Sequence, residues 1–275
     1  MKRRLIQILS AVATNSYIQG FLQSTIYQGK AKIVCVPGLN CYSCPGAIGA
    51  CPIGSLQGSL SRRGQNYSLY VLGFLLAFGI AFGRFICGFL CPFGFLQDLL
   101  YKIKTKKMKI KENIDRQMRY LKYVILVVFV ILLPIFLVGD YGVSSPYFCK
   151  LICPAGTLEA GIPLVAGNED LQQLTGWLFN WKVFVLVAVI IMSILVYRFF
   201  CKYMCPLGAI YGLFNRISFY GLDYDKEKCI HCMACHKACN MQVKVTEQPN
   251  SAECIRCGDC KNVCPTNAIE LRFRK

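Results

Sequence analysis

The chain has 275 residues, 55 % of them hydrophobic and 16 % charged, with 31 Lys and Arg against 14 Asp and Glu for a formal net charge of +17. So apolar a composition excludes a disordered chain, and the charged fraction falls below the ~25 % usual in soluble globular domains. Lipid is therefore expected to be part of the solvent. The basic balance raises nucleic acid as a partner, but this much apolar sequence argues against it, and none is expected. Eighteen Cys in tight, repeated spacings point to metal or cluster ligation rather than a disulfide scaffold, which would be short and hydrophilic.

Taken in chain order, the first apolar segment is residues 5–27. It carries no charge but holds Gln7, Thr14, Asn15, Gln19 and Gln23. A signal peptide is the rival reading, since Lys2-Arg3-Arg4 precedes it and Ala11-Val12-Ala13 resembles a cleavage site. The apolar run before that site is too short, so an uncleaved first helix is expected, with its polar residues facing a bundle interior. Residues 67–87, 120–139 and 181–200 read as three further spans, each near the ~20 apolar residues a bilayer requires. Tyr67, Tyr120, Trp177, Trp181 and Tyr197 mark their edges, while Lys122, Lys182, Arg84 and Arg198 sit where they can snorkel.

The charge distribution orients these spans. Lys102, Lys104, Lys106, Lys107, Lys109, Lys111, Arg116 and Arg119 crowd the loop between the second and third spans. The loop after the first span has Lys30, Lys32, Arg62 and Arg63, and the loop after the third has Lys150. By the positive-inside rule the 102–119 loop and both termini are cytoplasmic, which four spans satisfy. This basic loop is expected to meet lipid headgroups.

Residues 221–275 are hydrophilic. They carry Cys229-x2-Cys232-x2-Cys235-x3-Cys239 and then Cys254-x2-Cys257-x2-Cys260-x3-Cys264-Pro265. The first three Cys of each run can wrap one [4Fe–4S] cluster, and the fourth reaches the other. One cluster is thus expected on Cys229, Cys232, Cys235 and Cys264, and a second on Cys254, Cys257, Cys260 and Cys239. The pattern resembles bacterial two-cluster ferredoxins, with Asn240 standing where that family usually has Pro. His231 and His236 fall between ligands and are not expected to bind iron; His231 is placed to tune a cluster through a hydrogen bond to sulfur.

The apolar part of the chain repeats another phrase: Cys51-Pro52-Ile53-Gly54, Cys91-Pro92-Phe93-Gly94, Cys153-Pro154-Ala155-Gly156 and Cys205-Pro206-Leu207-Gly208. A second Cys precedes three of them by four residues: Cys87, Cys149 and Cys201. Arg84 to Gly94 and Arg198 to Gly208 share R-F-x-C-x3-C-P-x-G directly after a span, the sign of an internal duplication with both halves parallel. Cys at i and i+4 share one helix face. Two such pairs complete a four-ligand set, so an inner cluster is expected on Cys87, Cys91, Cys201 and Cys205. Arg84 and Arg198 then either offset its negative charge or only snorkel. On the outer face Cys44, Cys51, Cys149 and Cys153 are the expected set, because Cys44-Pro45 and Cys51-Pro52 repeat the Cys-Pro phrase. Cys35 and Cys41 are left as a disulfide, an alternative ligand or a redox-active thiol pair. An outer structural disulfide pair is the alternative to an outer cluster.

With these residues the chain resembles the NapH-type membrane iron–sulfur proteins, part of a polyferredoxin group that includes the membrane domains of NosR-type and CcoG-type proteins. Arg3-Arg4-Leu5-Ile6-Gln7, the loop Leu39-Asn40-Cys41-Tyr42-Ser43-Cys44-Pro45, both inner Cys elements and the ferredoxin pair carry the likeness. Cys149–Cys153 departs from a minimal NapH pattern. The resemblance implies a four-helix membrane protein that passes electrons between quinol or a cytoplasmic donor and a partner redox protein.

The expected fold is an all-α polytopic membrane protein of four transmembrane helices in two parallel repeats (1–220), plus a small α+β ferredoxin domain (221–275). It is expected in the cytoplasmic membrane as a conduit relaying electrons by hopping between clusters at the module, the inner bundle end and the outer bundle end. No catalytic base or nucleophile is expected; Asp98, Glu159 and Asp140 lie near span edges as candidate acceptors of a quinol proton, with solvated or headgroup carboxylates the plainer reading. Quinone is a further candidate ligand, and a soluble cytoplasmic ferredoxin and an extracytoplasmic redox protein are candidate partners. The other readings are a quinol dehydrogenase subunit and a maturation or metal-handling factor for an extracytoplasmic metalloprotein.

Overall fold

A computed structural model describes residues 2–60, 69–137 and 144–274. Arg62, Arg63, Tyr67 and Asp140 lie outside the described residues. The chain is mainly helical, and two helices are long and apolar enough to cross a membrane: Glu112–Phe136, of 25 residues, and Trp177–Leu195, of 19. At 1.5 Å rise per residue they reach about 38 and 28 Å, against a hydrocarbon core of about 30 Å. Only 22 % and 17 % of their apolar windows are buried. Val124, Val127, Phe184, Val187 and Ile191 face outward. A helix in a soluble core hides such residues; these present them to the surroundings, as lipid-facing helices do.

The other two expected spans are shortened. The second is the apolar helix Leu69–Phe82, which stops at Gly83, where φ is +51°. The first is broken into Lys2–Thr14 and Ile18–Gln23. Its own polar residues end it: Thr14 Oγ1 donates to the Ser10 carbonyl and Asn15 Nδ2 to that of Ala11. Such side chains compete with the helix's own hydrogen bonds. The expectation that the polar residues face inward is met by Gln7, which is buried and donates to the Gly88 carbonyl and Asp98. Gln19 and Gln23 are exposed instead.

The C-P-x-G phrase is a helix start. In Pro92–Leu100 and Pro206–Phe214, Cys91 and Cys205 are N-caps whose Sγ accepts the N–H of Gly94 and of Gly208 at 3.4 Å. Proline follows at the first helical position, where no N–H is needed. Pro154–Gly156 begins the same way at Cys153. Glycine is required by close approach: a Cβ on Gly94 would lie 2.9 Å from the Cys87 carbonyl oxygen, and on Gly208 3.1 Å from that of Cys201.

After these helices the chain forms an antiparallel pair of strands, Tyr220–Tyr224 and Ile269–Phe273, with Leu222 opposite Leu271. The short helices Ala234–Ala238 and Asp259–Asn262 lie between them, around a small core of Leu222, Val245 and Ile269. This module packs on one end of the helices. Arg119 donates to the carbonyls of Met241 and Gln242, and Lys202 to Gln242 Oε1 at 2.7 Å. Most of the basic 102–119 segment stays exposed beside it.

Val187 lies near the centre of Trp177–Leu195 with 47 % of its surface exposed. Val187→Asp should add about 2.5–3.5 kcal/mol to membrane insertion, the cost of a charge at the centre of a span. The expected outcome is loss of chain from the carbonate-resistant membrane fraction. On a water-facing helix the same change would be nearly neutral.

Candidate iron–sulfur sites

The expected inner four cysteines come together. Cys87, Cys91, Cys201 and Cys205 are each at most 5 % exposed. Cys205 lies within electrostatic reach of the other three, and Cys91 of Cys87 and Cys201. The two arginines cross over between the pairs. Arg84 Nη2 donates to the Cys201 carbonyl at 2.8 Å, and Arg198 Nη1 to the Cys87 carbonyl. Both guanidinium groups are fully buried, so the snorkelling alternative is corrected. Lys122 is likewise fully buried rather than at a lipid headgroup.

These charges are tolerated because each is paired. Arg198 holds Asp98 with Nε and Nη2, both at 2.6 Å, and Arg3 joins at 2.6 Å. Arg84 Nη1 donates at 2.8 Å both to Glu253 and to the Ala252 carbonyl of the module, and Lys122 binds the other Glu253 oxygen. Asp115 takes Lys202, Arg119 and the Tyr203 hydroxyl. Asp98 is thus no solvated or headgroup carboxylate.

Two buried glutamines repeat one arrangement, six residues after a Cys-Pro cysteine. Gln97 donates to Cys201 Sγ at 3.0 Å and accepts the Phe200 N–H at 3.1 Å. Gln57 donates to Cys149 Sγ at 3.3 Å and accepts the Phe148 N–H at 3.0 Å. Each thus supplies a donor to one thiolate position and caps the helix that carries it. The matching sixth places after Cys153 and Cys205 are Glu159 and Tyr211. The sequence signal was present as C-P-x-G-x-L-Q at both glutamines.

In the second cysteine group the structure brings together Cys41, Cys51, Cys149 and Cys153, which line a cavity of about 700 Å³. Cys41 stands where Cys44 was expected. Cys41 is drawn in because its N–H donates to Glu159 Oε2 at 2.7 Å, and a Cβ on Gly156 would lie 3.7 Å from its sulfur. Cys44 turns away toward Asn15, 3.6 Å from Oδ1. Cys35 goes elsewhere again, with its sulfur 3.8 Å from Ser55 Oγ. Glu159 is half-buried by these contacts, and loss of hydration pushes its carboxyl up to about 7 despite the Cys41 N–H. It too is no solvated carboxylate. This group lies beside the start of the helix Trp177–Leu195, where Trp181 Nε1 donates to the Leu151 carbonyl, while the N–H of Leu39, two residues from Cys41, donates to Cys91 Sγ of the inner group.

In the module, Cys229, Cys232, Cys235 and Cys264 line one small pocket with Tyr224. Cys254 lies within electrostatic reach of Cys239, Cys257 and Cys260, and Cys260 of Cys239 as well. The fourth cysteines are matched: Cys239 Sγ accepts the Val243 N–H at 3.4 Å, and Cys264 Sγ the Ala268 N–H at 3.3 Å. Asn240 leaves this turn intact. His236 binds Thr246 at 2.8 Å. Burial pushes the Cys260 thiol up to about 12, a penalty that bound cationic metal offsets by favouring thiolate. Among the described residues no three His, Cys, Asp or Glu converge tightly enough for a single metal ion. A tetrahedral zinc would need sulfurs within about 4 Å of one another, whereas a cubane spreads its four cysteines wider. All-thiol sets with N–H donors aimed at sulfur therefore fit [4Fe–4S] groups.

Two family profiles described as 4Fe–4S binding domains match the chain, one at residues 67–111, 124–162 and 171–219, the other at 248–270. An uncharacterized protein of Methanocaldococcus jannaschii is 32 % identical over 73 % of this chain and 68 % of its own length. The ferredoxin-type protein NapH of Escherichia coli is 25 % identical over 57 % of this chain and 51 % of its own. The regulatory protein NosR of Stutzerimonas stutzeri is 26 % identical over 63 % of this chain but 23 % of its own. No solved structure matches.

Gln97→Leu should cost about 1–3 kcal/mol, because it leaves the Phe200 N–H buried without an acceptor. A lowered Tm with early loss of iron from the Cys201 site is the expected result. The Glu253 seam makes a pH prediction. Burial would raise this carboxyl, but Arg84 and then Lys122 outweigh it and hold it at about 2. Its contribution is complete above the ordinary value of 4.5 and is lost as pH falls toward 2. Hydrogen-exchange protection of residues 251–257 should stay constant from pH 7 to about 5 and decline below that window.

Proposed function

The chain belongs to the family of NapH/NosR-like iron–sulfur membrane proteins, and we propose that it relays electrons along four cysteine-held sites laid end to end. The family is one of iron–sulfur electron-transfer proteins. When bound, [4Fe–4S] groups supply one-electron acceptance and donation at potentials set by charge, burial and hydrogen bonds to sulfur. The proposed order runs from Cys229, Cys232, Cys235 and Cys264, through Cys254, Cys257, Cys260 and Cys239, to the inner four, and then to Cys41, Cys51, Cys149 and Cys153.

The observation that carries this reading is Arg84. One guanidinium joins Glu253, beside the module's Cys254, to the carbonyl of Cys201. Asn215 adds a second tie, donating to the Cys254 carbonyl at 2.7 Å. The residues' work is to hold these thiols at fixed spacing, to exclude water and to set charge nearby. Entry is proposed at the module, where Cys232 is the exposed cysteine of its set.

The proposed topology is multi-pass, with 1–220 as the membrane domain, 221–275 as the module and both termini cytoplasmic. Its support is that Arg3, the basic 102–119 segment and the module meet at one end. The reciprocal arginines support two parallel repeats. A second reading, oxidation of quinol, draws on the cavity: about 700 Å³, lined by Leu39, Pro146 and Leu164 with Lys182 beside them, is ample for a quinone head group. Reduction of the purified protein by menaquinol would support that reading, and no reduction would remove it.

The relay predicts about 16 Fe per chain at four per cluster; about 8 Fe would contradict membrane-domain clusters. Cys41→Ser should abolish one EPR signal that Cys44→Ser leaves intact. The reverse pattern would restore Cys44 to the second site.

A further inference from the structure

We propose that the segment Pro37–Cys41 is the electron bridge between the two cysteine sites of the membrane half, with the Leu39 amide as its contact to the inner one. The proposal rests on the relay reading and adds the route. Leu39 N–H donates to Cys91 Sγ at 3.4 Å. Two residues on, Cys41 carries a thiol of the other site, sharing its cavity with Cys51, Cys149 and Cys153. The path is therefore one N–H···S hydrogen bond followed by covalent backbone, spanning at most about 7 Å between the Cα atoms of Leu39 and Cys41. Tunnelling decays more slowly through bonds than across van der Waals gaps, so this route outruns a through-space jump.

The segment is held as a fixed strut. Pro37 accepts the Tyr211 hydroxyl at 3.1 Å, and Tyr211 is fully buried on the helix that Cys205 starts. Tyr211 also lies within electrostatic reach of Cys87 and Cys91 on one side and of Cys51 on the other. Gly38 lets the strut lie flat on the inner site: a Cβ there would come 2.9 Å from Cys91 Cα and 3.1 Å from the Leu90 carbonyl oxygen. Leu39 and Asn40 are buried, and Cys41 is tied by its N–H to Glu159. Each transfer along this path oxidises one site by one electron, reduces the other by one and moves no proton. Leu39 is a positioning residue, since its amide acts through the Cys91 sulfur.

The test uses the full-length, iron-loaded protein. With [15N]leucine incorporated, the reduced inner site, identified as the EPR signal lost in Cys87→Ser, should show a 15N hyperfine coupling. Leu39→Ile keeps the N–H but removes the label, so the coupling should vanish. Separately, Gly38→Ala mixed with one equivalent of dithionite and freeze-quenched should pass its electron between the two sites at least tenfold more slowly, at unchanged iron content. Both membrane-half signals without the leucine coupling, or an unchanged rate in iron-replete Gly38→Ala, overturn the bridge alone. If Gly38→Ala loses iron, the leucine coupling in the parent protein decides. Absence of both membrane-half signals overturns the relay and the bridge together.

Discussion

Three carboxylates hold this protein together, two of them buried and the third, Asp98, largely enclosed. Asp98, Asp115 and Glu253 take up the charges of Arg198, Lys202, Arg84 and Lys122, each of which is at most 1 % exposed. An unpaired buried charge costs several kcal/mol, so none of these cations is tolerable alone. Glu253 lies on the module and its two partners lie on the helices. The membrane half therefore reaches its lowest energy only with the module seated. Electrostatics at this one seam hold the two parts of the chain together.

The same cations face the cysteines. Arg84 and Arg198 each leave their own Cys pair and reach a carbonyl of the opposite pair, which fixes two separate helix starts at one spacing. Gly94 and Gly208 permit the close approach, and Gln97 adds an N–H to sulfur. Positive charge and N–H donors both favour the more reduced, more anionic state of a thiolate-bound centre. Structure and electron affinity thus come from the same contacts.

Local phrases of the sequence were the most legible. The two-residue gaps in the ferredoxin runs and the Cys-Pro-x-Gly helix starts depend on neighbours a few residues away, and the structure gathers those cysteines as the spacing suggests. Contacts between distant segments were not legible. Glu253 meets Arg84 across 169 residues, and no local pattern distinguishes it from any other surface glutamate. Cys41, not Cys44, lines the cavity with Cys51, Cys149 and Cys153, held there by one N–H bond to Glu159, 118 residues away. The break at Thr14–Asn15 was visible as polar residues in an apolar run, yet charge counting favoured a continuous span. Gln57 and Gln97 stand three residues beyond the Cys-Pro-x-Gly phrase, and their contacts to Cys149 and Cys201 join segments about a hundred residues apart.

The central claim is that the Cys254 set of the module and the inner four cysteines are electronic neighbours across the Arg84–Glu253 seam. EPR of the fully reduced protein tests it most directly. The account predicts spin–spin broadening of the module signals that disappears in Cys87→Ser while the module iron remains. Sharp module signals, identical with and without the inner cysteines, would contradict it.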